Sequence, residues 1–282
     1  MYTSRFYLGL NARGFHRLHY LEWPGPETRP PVICVHGLTR NARDFDALAT
    51  TLQVDCRVIC PDVVGRGLSE WLAHPSAYNL PQYMADMSGL IARLDVEQVD
   101  WVGTSMGGLI GMALAAQPGN PIRRLVLNDV GPYIAQPAIQ RIADYVGENP
   151  YFSDLREAEL YLRRVHAGFG PLSDNDWRHM AEHSTRPLEG GGYRLCYDPA
   201  IGDVYKKEPA EKIELWDLWD AIRCPVLVLR GAHSDVLTAE TAREMRQRGP
   251  RARIETFANI GHVPALYSAD QIGLIQTWLA QM

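Results

Sequence analysis

Val102-Gly103-Thr104-Ser105-Met106-Gly107-Gly108 has the form G-x-S-x-G. A β-branched and apolar run, Gln98-Val99-Asp100-Trp101-Val102, leads into it, and a helical pattern from Met106 to Gln117 leaves it. A serine on so sharp a strand-to-helix turn sits in strained backbone with its neighbours packed close, where a side chain at position 103 or 107 would collide. In return its Oγ is exposed above the end of a sheet. It also lies at a helix N-terminus, whose N–H groups face any negative charge that develops there. Strand, turn, serine and helix in that order predict a nucleophile on an α/β scaffold.

Reading outward in both directions, the same alternation recurs. Short apolar runs stand at Val32-Ile33-Cys34-Val35, Arg57 to Cys60, Arg124 to Leu127, Pro225 to Leu229 and Arg253 to Phe257. Amphipathic stretches separate them at Ala42 to Gln53, Leu80 to Leu94, Thr238 to Gln247 and Ser268 to Gln281. Such alternation predicts a mostly parallel sheet with helices on both faces. Arg5 to Trp23 reads as an antiparallel hairpin turning at Asn11-Ala12-Arg13-Gly14. Pro81 fits the first turn of its helix, and Ser268 with Gln271 has the spacing of a capping box.

The rhythm breaks once. From Leu127 to Pro225 there is no strand-like run, and a structureless loop of that length is foreign to a compact domain. Helical patterns at Pro137 to Val146, Leu155 to Ala167 and Asp174 to His183, then a turn at Gly190-Gly191-Gly192, predict an inserted helical cap. Residues 1–130 and 216–282 then form the core domain and 131–215 the cap. Twelve of the 26 aromatic residues fall between Gly131 and Asp220. They either pack the cap onto the core or line a pocket beneath it.

Composition narrows the classes of function. The 282 residues carry a net charge of −5, with 46% apolar and 22% charged side chains and no basic stripe, which argues against a nucleic-acid partner. Five scattered cysteines, with no CxxC spacing, read as buried reduced thiols. The N-terminus lacks the apolar core of a signal peptide. The longest apolar stretch, Leu109 to Ala116, is far short of the roughly 20 residues that span a bilayer. These features point to a cytoplasmic protein without a membrane partner.

A serine hydroxyl needs a base to take its proton. Among nine histidines, His262 stands in the loop between the last strand and the last helix, where side chains at the carboxyl end of a sheet converge. An orienting carboxylate would complete the set. Asp235, after the next-to-last strand and 27 residues before His262, is favoured; Asp129, at the end of the Leu125–Leu127 strand, competes, with anchoring the start of the cap as its other role. The oxyanion donors would be the Leu38 and Met106 amides, with Gly37 letting the backbone turn. His36 reads as a structural residue of that loop. Asp62 to Ser69 is glycine-rich but lacks the G-K-[ST] ending of a phosphate loop. His179-Met180-Ala181-Glu182-His183 spells H-x-x-E-H, a zinc pattern with no partner motif here, and is read as a polar helix face. No cofactor or metal is expected.

Taken together, His36-Gly37, Asp62 to Ser69, Gly103 to Gly108, Asp235 and Gly261-His262 resemble the cap-bearing branch of the α/β-hydrolase superfamily. The resemblance covers Pro30 to the C-terminus. It implies an eight-stranded sheet, a lid after the sixth strand, and the order nucleophile, acid, base carried by Ser105, Asp235 and His262. Relatives that use an aspartate nucleophile are set aside by Ser105. Carbon–carbon hydrolases have a more glycine-rich oxyanion loop than His36 to Asn41, and perhydrolases usually carry an aromatic residue at the Leu38 position. The expectation is therefore a cofactor-independent serine hydrolase acting on small-to-medium apolar carboxylic esters. Carbon–carbon hydrolysis with the same triad, or a non-catalytic binding role, are the alternatives.

Overall fold

The computed structural model describes residues 1–207 and 211–281, so 208–210 of the expected cap and the last residue of the expected core lie outside it. Eight strands form one sheet: β1 Thr3–Asn11, β2 Gly14–Trp23, β3 Val32–Val35, β4 Val58–Pro61, β5 Val99–Thr104, β6 Ile122–Asn128, β7 Val226–Gly231 and β8 Arg253–Phe257. Their order is β1-β2-β4-β3-β5-β6-β7-β8. The β1–β2 hairpin pairs antiparallel, closing with Asn11 opposite Gly14, and β2 joins β4 antiparallel. From β4 onward every pairing is parallel. This is an α/β-hydrolase fold.

Side-chain alternation explains why the central strands read as unbroken apolar runs. Ile33 and Val35 enter the hydrophobic cluster on one face, while Val32 and Cys34 enter the cluster on the other. All four are at most 1% exposed. Burying an Ile or Val in this way contributes roughly 1.5–3 kcal/mol.

The helices are α1 Asp46–Leu52, α2 Leu80–Arg93, α3 Met106–Ala115, α4 Gln136–Ala143, α5 Leu155–Val165, α6 Asp174–Ser184, α7 Asp203–Lys207, α8 Trp216–Ala221, α9 Ala239–Met245 and α10 Ala269–Ala280. Asn79 caps α2 with Pro81 in its first turn, and Ser173 with Asp176 forms a capping box on α6. The box expected on α10 does not form. Ser268 makes no side-chain cap bond, and Gln271 instead accepts the Leu266 N–H at 2.8 Å, fastening the loop that carries His262. Between β6 and β7 lie α4 to α8 and two small strand pairs, Tyr133–Ile134 with Ile213–Glu214 and Thr185–Pro187 with Tyr193–Leu195. The second pair is the hairpin around Gly190-Gly191-Gly192, too short to register as a strand in sequence. Among the described residues no helix is long and apolar enough to cross a membrane, and all five cysteines are free thiols, four of them buried.

Candidate active site

Ser105 occupies the turn between β5 and α3 with φ +50°, ψ −114°. The two flanking glycines are required by contact. A Cβ on Gly103 would stand 2.3 Å from the Gly107 carbonyl oxygen, and one on Gly107 would stand 2.0 Å from that of Val35. The Ser105 N–H donates to the Asn128 carbonyl at 3.0 Å, and the buried Trp101 indole donates to Gly107 O at 3.0 Å. Local backbone and neighbouring strand thus hold the serine in a conformation that few L-residues adopt.

Opposite it, the His262 ring spans two partners. Nε2 lies 3.0 Å from Ser105 Oγ, and Nδ1 lies 2.7 Å from Asp129 Oδ2. Asp129 is fully buried, directly after β6, in positive φ (+56°). Its Oδ1 accepts the Gly231 N–H at 2.8 Å, and Oδ2 accepts the Ser234 hydroxyl at 2.5 Å as well as the His262 ring. Three donors from two loops therefore fix one carboxylate.

Asp235, favoured from sequence to orient His262, does not face it. Its side chain is 45% exposed and forms an ion pair with Arg141 of α4, with Oδ2 2.5 Å from Nε and Oδ1 2.9 Å from Nη2. Residue 234 explains the difference. Ser234 turns inward to Asp129 and caps the loop by accepting the Val236 and Leu237 N–H groups, so its neighbour points out to solvent. Asp129 was visible in sequence as the residue following β6. The further clue was register: Thr104 pairs with Asn128, which sets Ser105 and Asp129 side by side on adjacent strands.

Of the expected oxyanion donors, Leu38 lines the same cavity as Ser105 and Met106 follows it in the chain. Gly37 approaches Ser105, since a Cβ there would come within 3.7 Å of the serine Cβ. The Leu38 N–H has no protein acceptor among the described residues, and the Met106 N–H opens α3, where helix amides are unpaired. His36 is structural as read. It donates from Nδ1 to Gly37 O at 2.7 Å and accepts the Val63 N–H at Nε2, 3.0 Å away, and burial pushes its pKa down to about 4.

Two positioning residues escaped the sequence reading. Arg66, wholly buried, donates to Leu38 O at 2.9 Å and Val64 O at 2.7 Å and reaches Met106 Sδ at 3.5 Å, tying Leu38 and Met106 to one planar group. Asn128 donates to Thr104 Oγ1 and to Pro264 O, joining β5, β6 and the His262 loop. In sequence, Arg66 was one more charge in a glycine-rich turn. Only its burial reveals the function of the Asp62–Ser69 loop, which Asp62 closes by accepting the Ala42 and Leu68 N–H groups.

Ser105 and His262 open into a cavity of about 60 Å³, lined from the core by Leu38 and Arg40 and from the inserted segment by Arg141, Tyr145, His166 and Phe169. A second, apolar cavity of about 360 Å³ meets the other side of Leu38 and Met106, between Tyr83, Leu109, Tyr205 and Leu215. The inserted segment is fastened beside the site, with Gly261 N–H donating to Gly168 O at 2.8 Å and Arg40 to Ser184 Oγ at 2.8 Å. The H-x-x-E-H histidines, His179 and His183, gather with Asp46 away from Ser105. There the Arg43 guanidinium already bonds the Asp46 carboxylate and lies 3.4 Å from His183 Nδ1.

Residues 30–269 match the family model for the alpha/beta hydrolase fold. The chain is 44% identical over 273 residues to the 3-hydroxybutyrate-oligomer hydrolase of Cupriavidus necator, covering 94% of this chain and 93% of the relative. It is 37% identical to 2-hydroxymuconate semialdehyde hydrolase of a Pseudomonas species over 89% of this chain and 87% of that one. Among solved structures, an alpha/beta hydrolase from Novosphingobium aromaticivorans superposes with TM-score 0.88 at 37% identity, covering 99% of this chain and 98% of that one.

Proposed function

The chain belongs to the α/β-hydrolase family, and from that premise we propose that it is a carboxylic-ester hydrolase working through Ser105, His262 and Asp129, with residues 131–215 as the cap over the site. The observation that carries this is the His262 ring, bonded at once to Ser105 Oγ and to the buried Asp129 carboxylate. In the attack step Ser105 Oγ bonds to the ester carbonyl carbon while its proton passes to His262 Nε2. Asp129 accepts from Nδ1–H, which fixes the tautomer and stabilises the cationic ring. The carbonyl oxygen, now negative, receives the Leu38 and Met106 N–H groups. The C–O bond to the alcohol then breaks, His262 returns its proton to the leaving oxygen, and an acyl-Ser105 remains. Water, deprotonated by His262, attacks that acyl group and releases the acid and free Ser105.

The substrate class we propose is a short oligoester of a 3-hydroxy acid. The 44% identity with a 3-hydroxybutyrate-oligomer hydrolase supports it. So do two mainly apolar cavities that share Leu38, the one at Ser105 carrying the polar groups Arg40, Arg141 and His166, as suits an ester of short aliphatic units. The test is release of 3-hydroxybutyrate from its dimer and trimer, alongside p-nitrophenyl esters from acetate to decanoate, with wild type and Ser105→Ala. Ser105-dependent turnover of the oligoesters is expected. A folded protein that cleaves none of these esters but does cleave a 2-hydroxymuconate-type semialdehyde would replace the reading with carbon–carbon hydrolysis, the activity named for the 37% relative.

A further inference from the structure

The ion pair that displaced Asp235 from the triad stands at the edge of the Ser105 cavity. Arg141, on α4, lines that cavity, yet its side chain is 43% exposed, so the guanidinium marks an opening. Asp235 engages Nε and Nη2, and Nη1 has no protein partner among the described residues. The other groups of the cavity that could carry charge are occupied or neutral. Arg40 spends Nε and Nη2 on Asp44 and Nη1 on Ser184. His262 is held between Ser105 and Asp129. His166 is kept neutral by burial and by the nearby Arg40, His262 and Arg141 charges, which push its pKa well below the usual histidine range. Among the described residues that line this cavity, Arg141 is thus the one arginine with a guanidinium nitrogen that makes no protein hydrogen bond.

A 3-hydroxy acid oligoester differs from a simple ester in having a free hydroxyl at one end and a free carboxylate, its only charge, at the other. We infer that Arg141 is a specificity-determining residue that receives this carboxylate, so that the enzyme selects oligoester acids over their neutral esters. The inference rests on the ester-hydrolase reading above. A guanidinium suits the task because its planar fork pairs with a carboxylate in a defined orientation, which would set which ester bond along the chain reaches Ser105. Asp235 is the resting counter-ion. An exposed pair of this kind contributes little to stability, so a substrate carboxylate can share or displace it at small cost. Its negative charge also repels that carboxylate, which gives the two partners opposite effects on selectivity.

Binding is measured by titration calorimetry on Ser105→Ala protein, using the 3-hydroxybutyrate dimer as free acid and as methyl ester. The free acid is expected to bind about 10- to 100-fold more tightly than the methyl ester, the range for losing one charge-assisted hydrogen-bonded contact. Adding Arg141→Gln should bring the two affinities together, Arg141→Lys should restore part of the gap, and Asp235→Asn should widen it. Equal affinity for acid and ester, no binding of either, or a gap that survives Arg141→Gln would each overturn the inference. Turnover by wild type keeps the two readings apart. If the acid binds through Arg141 but neither dimer is cleaved, the assignment of Arg141 stands and the ester-hydrolase reading falls.

Discussion

Asp129 and Asp235 follow neighbouring parallel strands, β6 and β7, and reach the same end of the sheet, yet the structure treats them as opposites. Asp129 is fully buried and takes hydrogen bonds from Gly231, Ser234 and His262. Asp235 is half out in solvent and meets a single, equally exposed arginine from the inserted segment. A strand end supplies position for either residue. What separates them is the set of donors converging on the carboxylate, and with it whether the charge is preorganised or solvated.

The largest expected effects test that contrast directly. Asp129→Asn should lower kcat by about 10⁴-fold, because an amide permits the wrong histidine tautomer. Asp235→Asn, assayed beside it on a neutral p-nitrophenyl ester, should change kcat less than about tenfold. A greater loss at Asp235 would reverse the assignment. Next comes Arg66→Lys, which keeps the buried charge but loses the planar fork on Leu38 O and Val64 O. It should cost on the order of 10²-fold in kcat, the scale of a disturbed oxyanion donor, with KM changing much less. An unchanged kcat in a protein that folds normally would remove Arg66 from the positioning of that site.

Smaller effects are expected on stability. Ser234→Ala removes one buried hydrogen bond to Asp129 and should lower the unfolding free energy by about 1–3 kcal/mol. Breaking the Arg141–Asp235 pair should cost under about 1 kcal/mol, as read by denaturant titration. Similar losses at the two sites would erase the distinction between them. The pH dependence has a definite sign. Burial lowers His36 to about 4 in the fold, ahead of the opposing influence of Asp62, with Arg66 reinforcing it. Between its usual value near 6.5 and about 4 the unfolded chain therefore binds the extra proton, and stability falls as pH falls through that window. Tm measured from pH 7 to 4.5 should show this slope, and His36→Gln should reduce it but not abolish it, because burial lowers His166 and His183 in the same direction.

The contrast between the two aspartates also marks where sequence reading stops. Apolar runs and their spacing locate six of the eight strands directly: β3 and β4, buried at every position, have no polar residue to interrupt them, and even the half-exposed β8 keeps its β-branched and aromatic residues. The hairpin β1–β2 is legible from its alternation and its turn. Ser105 is legible because the glycines around it answer a local steric demand, and His262 because it sits in the one histidine-bearing loop between the last strand and the last helix. Arg66 and Asn128 were not legible. Each acts by reaching across the chain, Arg66 to Leu38 and Met106 and Asn128 to Pro264, and no periodicity records such a reach.

By itself, then, the sequence determined the α/β class, the turn that carries Ser105 and the loop that carries His262, and the break between β6 and β7 where a helical segment enters. These follow from interactions within a few residues of each other, burial on a strand, crowding at a tight turn, and a helix start. Tertiary structure alone decided which carboxylate faces His262, what the buried Arg66 supports, and that Arg141 and Asp235 meet at the cavity. Each of those outcomes depends on the direction in which a loop side chain points. That direction is set by partners far away in the chain: Gly231 and Ser234 for Asp129 lie more than a hundred residues off, Arg141 lies 94 from Asp235, and Leu38 and Met106 lie 28 and 40 from Arg66.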